Sequence, residues 1–326
     1  VGPGAAGLRA ETRLRPGSVA RDAPGVDMHD DQLSVSPETV RELVDDQFPQ
    51  WRSLPVRALA SQGTVNAIFR LGDRFTARFP LRQGDVPATW RWLESEAEAA
   101  RELAGRTPFA TPEPVALGGP GRGYPLPWSV QTWLPGVVAT DEDPGESVAF
   151  AHDLAEFVHG VRAIGTHGRT WDGEGRGGDL RAHDAWIQTC FEKSEELLDV
   201  PRLRRTWTAL RELPPSGAAD VMCHGDLIPG NVLVSQGRLA GILDVGGLGP
   251  ADPALDLVGA WHLLAAGPRQ VLRDALGCDA LEWERGKAWA FEQAMGAAWY
   301  YARSNPDMSR MGRRTLERIM AAGTAA

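Results

Sequence analysis

Three side chains in one short stretch could together handle a phosphate group. Asp226 closes the tripeptide His224-Gly225-Asp226, Asn231 follows five positions later, and Asp244 stands thirteen beyond that. Between the last two the chain reads as a hairpin. Val232, Leu233 and Val234 form an apolar strand, Ser235-Gln236-Gly237-Arg238 a polar turn, and residues 239–243 a return strand. A hairpin brings its open ends together, so Asn231 and Asp244 are predicted to lie side by side, with Asp226 on the loop that feeds them. Phosphoryl transfer asks for such a set: an oriented hydroxyl, magnesium on the phosphates, and countercharge along the phosphate chain. Asp226 can accept or orient the proton of an acceptor hydroxyl, and Asn231 and Asp244 offer hard oxygens to Mg²⁺. A lone His-Gly-Asp is most often a turn. The asparagine and the Asp244-Val245-Gly246 that follow it, with a hairpin between them, make the pattern specific.

The elements before this stretch read as a small β-rich unit. Ser36 and Pro37 start a helix over 37–48, followed by a meander of strands at 56–60, 67–71 and 74–79 with a turn at 61–66. A helix over 88–104 carries Trp92, Leu93, Ala99, Ala100 and Leu103 at helical intervals, and strands at 115–117 and 128–133 precede Pro135-Gly136. Beyond that pair the pattern turns to long helices, at 147–164, 182–198, 256–266, 269–276 and 282–303. The expected fold class is α+β: a small antiparallel β lobe with one helix over 34–136 and a larger, mainly helical lobe over 137–326. A ligand cleft is expected between them.

Composition narrows the function classes. The 326 residues are 43% apolar and carry a formal charge of −9. Residues 37–136 hold eleven arginines and eleven acids, whereas 137–326 hold nineteen basic and twenty-seven acidic residues. Such a surface disfavours nucleic acid, and no basic stripe with interleaved aromatics occurs. It is compatible with a cationic small molecule. Three scattered cysteines argue against disulfides and thiolate metal sites, the histidines lack metal-ligand spacing, and no run of 18 apolar residues spans a membrane, so a cytoplasmic protein is expected. Residues 1–33 read as a disordered leader lacking the apolar region of a secretory signal. Either translation naturally starts near Met28 or the first 27 residues are dispensable.

The chain resembles the aminoglycoside phosphotransferases and their small-molecule kinase relatives, which share the protein-kinase-like fold. The residues that carry the resemblance are the loop 224–231, with its D-x-x-x-x-N spacing, the segment ILDVGGLGPADPALDL with its D-x-G, YPLPWSVQTWLPG upstream, and QGTVNAIFRLGDRFTARFP. They spread over roughly residues 37–300. The resemblance implies Asp226 as catalytic carboxylate, Asn231 and Asp244 as Mg²⁺ ligands, His224 as a structural brace of the loop, and the Gln131, Thr132 and Trp133 backbone as the adenine-binding hinge. Asp256 would stabilise the loop or a helix. Gly63 and Thr64 would form a short flap over the nucleotide phosphates. The third strand of such folds carries a phosphate-binding lysine paired with a helix glutamate; here Arg78 stands in its place, with Glu96 as the expected partner.

These readings imply a Mg²⁺-dependent transfer of the γ-phosphoryl group of ATP or GTP to a hydroxyl of a small molecule, aminoglycoside-like by default. The alternatives are a kinase of another metabolite or of a macrolide, and a nucleotide-binding pseudokinase regulator, whose one support is the missing lysine. A protein kinase is disfavoured by the short span between Gly246 and Ala254, which leaves no peptide-binding activation segment. Acceptor contacts are expected between about residues 171 and 198 and near the C-terminal helices. Asp184 reads as an exposed helix carboxylate rather than a contact.

Overall fold

The Ser36 hydroxyl accepts the Thr39 N–H at 3.1 Å, Pro37 takes the first helical position, and Val40, Leu43 and Val44 fall on one buried face. This start of the chain's first helix, α1 (Pro37–Gln47), is part of a computed structural model that describes residues 33–59 and 65–323. The strands β1 (Val56–Ala58), β2 (Asn66–Leu71) and β3 (Phe75–Pro80) follow, then α2 (Val86–Leu103), β4 (Pro114–Gly118) and β5 (Trp128–Thr132). They form one antiparallel sheet in the order β1-β2-β3-β5-β4. Phe69, Leu71, Phe79, Trp128 and Val130 pack on α1, with Phe79 stacked on Trp128 at 4.7 Å. The small lobe therefore has its own core. α2 turns its Ala99, Ala100 and Leu103 toward the larger core instead, and so joins the two.

The second part begins at Gly136 with β6 (Val137–Val138), then α3 (Val148–Arg162), α4 (Asp184–Ser194), α5 (Val200–Leu210) and β7 (Val221–Cys223). The predicted hairpin is β8 (Val232–Ser235) and β9 (Arg238–Ile242), with Val232 opposite Ile242 and Ser235 opposite Arg238. β6 adds to its other edge, and β10 (Gly249–Ala251) pairs with β7. Helices α6 (Val258–Leu263), α7 (Ala266–Leu276), α8 (Ala280–Tyr300) and α9 (Pro306–Ala322) complete the chain. α8 is buried on nearly every face from Trp283 to Ala298, with α4, α5, α6 and α9 around it.

Some boundaries differ from the sequence reading. The helix expected over 256–266 starts instead as a 3₁₀ turn, Pro253–Leu257, because the Asp252 carboxylate caps it by accepting the Ala254 N–H at 2.9 Å. The stretch at 182–198 splits into a 3₁₀ turn, Leu180–His183, and α4. α5, α9 and the three-residue strands β7 and β10 were not anticipated. The three cysteines are buried and unpaired. No helix among the described residues is long and apolar enough to cross a membrane.

Candidate active site

β7 and β10 fix one end of the loop that carries Asp226, and the β8–β9 hairpin fixes the other. Between them the backbone is held by Asp256, whose two carboxylate oxygens accept the N–H groups of His224 and Gly225 at 2.8 Å each. His224 braces the same loop across the hairpin: its Nε2 donates to the Leu243 carbonyl at 3.0 Å while Nδ1 accepts the Asp226 N–H at 3.3 Å. The hairpin ends meet where Leu243 N–H donates to the Asn231 carbonyl at 2.7 Å. Asp226, Asn231 and Asp244 thus come together as the spacing predicted. Asp244 itself takes the left-handed conformation, φ 54°, an uncommon backbone state for a non-glycine residue that swings the chain away from β9.

The donor set suits magnesium. The Asn231 Nδ2 donates to the Asp226 carbonyl at 3.0 Å and to Asp226 Oδ2 at 2.9 Å, which leaves Oδ1 buried with no partner among the described residues. A buried amide oxygen left open beside a carboxylate is the kind of acceptor a hard cation completes. No cluster of three or more His, Cys, Asp or Glu able to hold a metal occurs among the described residues. Mg²⁺ does not require one, since it binds through one or two protein oxygens, substrate phosphates and water.

Across the cleft, Arg78 on β3 reaches both Glu96 of α2, at 3.1 Å, and Asp244, at 3.4 Å. The arginine fork thereby does with two nitrogens what a point charge would do with one. The glycine of Asp244-Val245-Gly246 has a steric reason: a Cβ there would lie 2.5 Å from Glu96 Cγ. Arg78, Gln131, Thr132 and Trp133 line one cavity with Asp244. Within that hinge the Thr132 N–H donates to the Glu113 carbonyl at 2.9 Å and the Trp133 N–H to the Arg74 carbonyl at 2.8 Å. The next N–H along, that of Leu134 in the same cavity, donates to no partner among the described residues. Gly63 and Thr64 lie outside the described residues.

Asp226 is 7% exposed. Its Oδ1 accepts from Gln293 Nε2 of α8 at 2.5 Å and from Arg176 Nη2 at 3.2 Å. Burial pushes its carboxyl up to about 6, with Asp244 adding to the rise and Arg176, His224 and Gln293 opposing it. Gln293 is held in turn by His262, which also meets Thr315 of α9; burial pushes that imidazole down to about 3. Neither Arg176 nor Gln293 was foreseen. Arg176 stands in a glycine-rich loop and Gln293 in a helix core, with no local spacing to mark them. Asp184 is gripped by Arg211 and Trp207, at 2.8 Å and 2.9 Å to Oδ1, and so ties α4 to α5. A cavity of about 590 Å³, within the size range of small-molecule sites, borders Pro229 and Thr140, the carboxylates Asp143, Asp307 and Glu317, and Arg310, Arg313 and Arg314.

A β-rich lobe, a helical lobe and a carboxylate loop facing the cleft between them define the protein-kinase-like architecture. The comparisons place the chain more closely. Residues 56–289 match the phosphotransferase enzyme family, and the chain belongs to that family. The aminoglycoside 3'-phosphotransferase of Streptomyces fradiae is 33% identical over 142 residues, 40% of this chain and 50% of that protein. The chain thus spans about half the length of that relative. Among solved structures, the GDP complex of aminoglycoside 2'-phosphotransferase-IIIa superposes with a TM-score of 0.64 at 20% identity, over 89% of this chain and 100% of that one. Macrolide 2'-phosphotransferase from Brachybacterium faecium gives 0.57 at 19% identity, over 86% and 97%. At these identities the structures establish the fold alone.

Proposed function

We propose that this protein transfers the γ-phosphoryl group of ATP or GTP to a hydroxyl of a small molecule, with an aminoglycoside-like acceptor as the default. The observation that carries the reading is the divided amide of Asn231, whose nitrogen positions Asp226 while its oxygen stays buried and open beside the Asp244 turn. Asp226 receives the acceptor proton, and Asn231 and Asp244 hold Mg²⁺. The ion supplies countercharge on the phosphates. Arg78 with Glu96 anchors the nucleotide phosphates, and the hinge around Thr132 and Leu134 takes the base. In this reading residues 34–136 form the nucleotide lobe, 137–326 the catalytic and acceptor lobe, and the cytoplasm, where nucleoside triphosphates are held, is the working compartment.

The Streptomyces fradiae relative, named for aminoglycosides, supports an aminoglycoside-like acceptor. The cavity beside Pro229 is the proposed acceptor site. Against a pseudokinase role stands the Arg78–Glu96 pair, which keeps a cation at the position of the missing lysine. The test is nucleotide consumption with Mg²⁺ across aminoglycosides, macrolides, amino alcohols and sugars, beside Asp226→Ala. Acceptor-dependent turnover that vanishes in the variant supports the reading. Turnover that survives in the variant contradicts it.

A further inference from the structure

The segment Asp172-Gly173-Glu174-Gly175-Arg176-Gly177-Gly178 joins α3 to α4 and is firmly held on both sides of its one arginine. Trp171 Nε1 donates to the Glu174 carbonyl at 3.0 Å; the Gly177 carbonyl accepts the Asp252 N–H at 3.1 Å and the Gly178 carbonyl accepts from Arg285 at 3.0 Å. Gly177 sits at φ 114°, where a Cβ would come within 2.7 Å of Ala251 Cβ. The arginine is thereby aimed rather than free. Its side chain is 8% exposed, Nη2 donates to the Gly225 carbonyl at 3.0 Å as well as to Asp226, and Nε lies 4.0 Å from a Glu292 oxygen.

Nη1 is different: it is buried and has no partner among the described residues. A buried guanidinium nitrogen left without an acceptor is costly, and beside a reacting centre the missing acceptor points to a ligand. The group that arrives next to Asp226 during phosphoryl transfer is the phosphoryl itself, with its charge on three equatorial oxygens.

We propose that Arg176 is an arginine supplied in cis that binds the transferring phosphoryl group through Nη1. The inference rests on the phosphotransferase reading. In the step, the acceptor oxygen forms its bond to the γ-phosphorus, the bond from that phosphorus to the bridging oxygen breaks, and the electron pair leaves with the nucleoside diphosphate. The acceptor proton goes to Asp226. Arg176 exchanges no proton; it counters charge on the phosphoryl oxygens and stays anchored through Nη2.

The experiment needs no identified acceptor. Retention of MgADP and of MgGDP is measured with and without aluminium fluoride, which mimics the planar phosphoryl group, for the wild type, Arg176→Ala and Arg176→Lys. Fluoride should tighten diphosphate binding in the wild type. Arg176→Ala should bind diphosphate alone about as well but lose most of that tightening, on the order of 10³-fold if the residue matches other cis or trans arginines. Arg176→Lys should keep a part of it. Equal tightening in all three proteins, or none in a wild type that binds diphosphate, overturns the proposal while the phosphotransferase reading stands. Loss of diphosphate binding in both variants also overturns it and makes Arg176 a structural residue. If the wild type binds neither nucleotide, both readings fall.

Discussion

Asp256 touches no expected substrate, yet the structure makes it the brace of the catalytic loop. Its carboxylate is 1% exposed and accepts two backbone N–H groups at 2.8 Å, from His224 and Gly225. Asp256→Asn replaces one oxygen by an amide nitrogen that faces an N–H donor. Hydrogen bonds to a charged group contribute about 1.5–3 kcal/mol each and a neutral one about 1 kcal/mol. Replacing two of the former by one of the latter, with one donor left unsatisfied, costs about 3 kcal/mol. For a chain of this size that is a fall in Tm of roughly 4–5 °C. The displaced backbone also moves Asp226, so kcat should fall by about 10²-fold, the cost of an ångström-scale misplacement. Thermal unfolding by circular dichroism and acceptor-dependent turnover measure the two effects. A variant that melts within a degree of the wild type and keeps its kcat would refute the bracing argument.

Other substitutions probe the cleft. Arg78→Ala leaves Glu96 and Asp244 without their shared cation, and should destabilise by about 3–5 kcal/mol while abolishing turnover. Arg78→Lys keeps the charge and one contact, and should lower kcat/KM for nucleotide by only about tenfold, the worth of one hydrogen bond. Gly246→Ala drives a methyl into Glu96 and should raise the nucleotide KM while costing about 1–3 kcal/mol of stability by urea unfolding. The acid limb of kcat/KM should fall through about pH 6, where Asp226 takes up its proton. For stability the sign is opposite. Because the folded-state value lies above the ordinary carboxylate range, Asp226 favours folding below about pH 4, and that contribution is lost as pH rises through about 6. At pH 8 the loss is about 3 kcal/mol, which a Tm series against pH in wild type and Asp226→Ala would detect.

What the sequence shows well are features whose physics is local. The hairpin from 232 to 242 follows from two short apolar runs on either side of a polar turn at Gly237, and its closure necessarily brings Asn231 toward Asp244. The first helix is legible in Ser36-Pro37, and the pairing of Arg78 with Glu96 follows from the resemblance of the third strand. Missed helices had signals too. α9 carries Met308, Met311, Thr315, Leu316 and Ile319 on one buried face behind an Asn305 cap, but its arginines masked the stripe. α5 hid Val200, Leu203, Trp207 and Leu210 in the same way. The partners of Asp226 are another matter. Gln293 lies 67 residues away and Arg176 lies 50 away, so only packing of α8 and of the glycine-rich loop brings them in. Strands β7 and β10 are three residues each, too short to carry a period, and are strands only because they pair.

The central claim, that Asp226, Asn231 and Asp244 form a phosphoryl-transfer centre, is tested most directly by mass spectrometry of acceptors incubated with Mg²⁺ and nucleotide. The wild type should add one phosphoryl group to a hydroxyl of at least one small molecule. Asp226→Ala should bind the same nucleotide and leave that acceptor unmodified. A phosphorylated product formed equally by the variant would contradict the account.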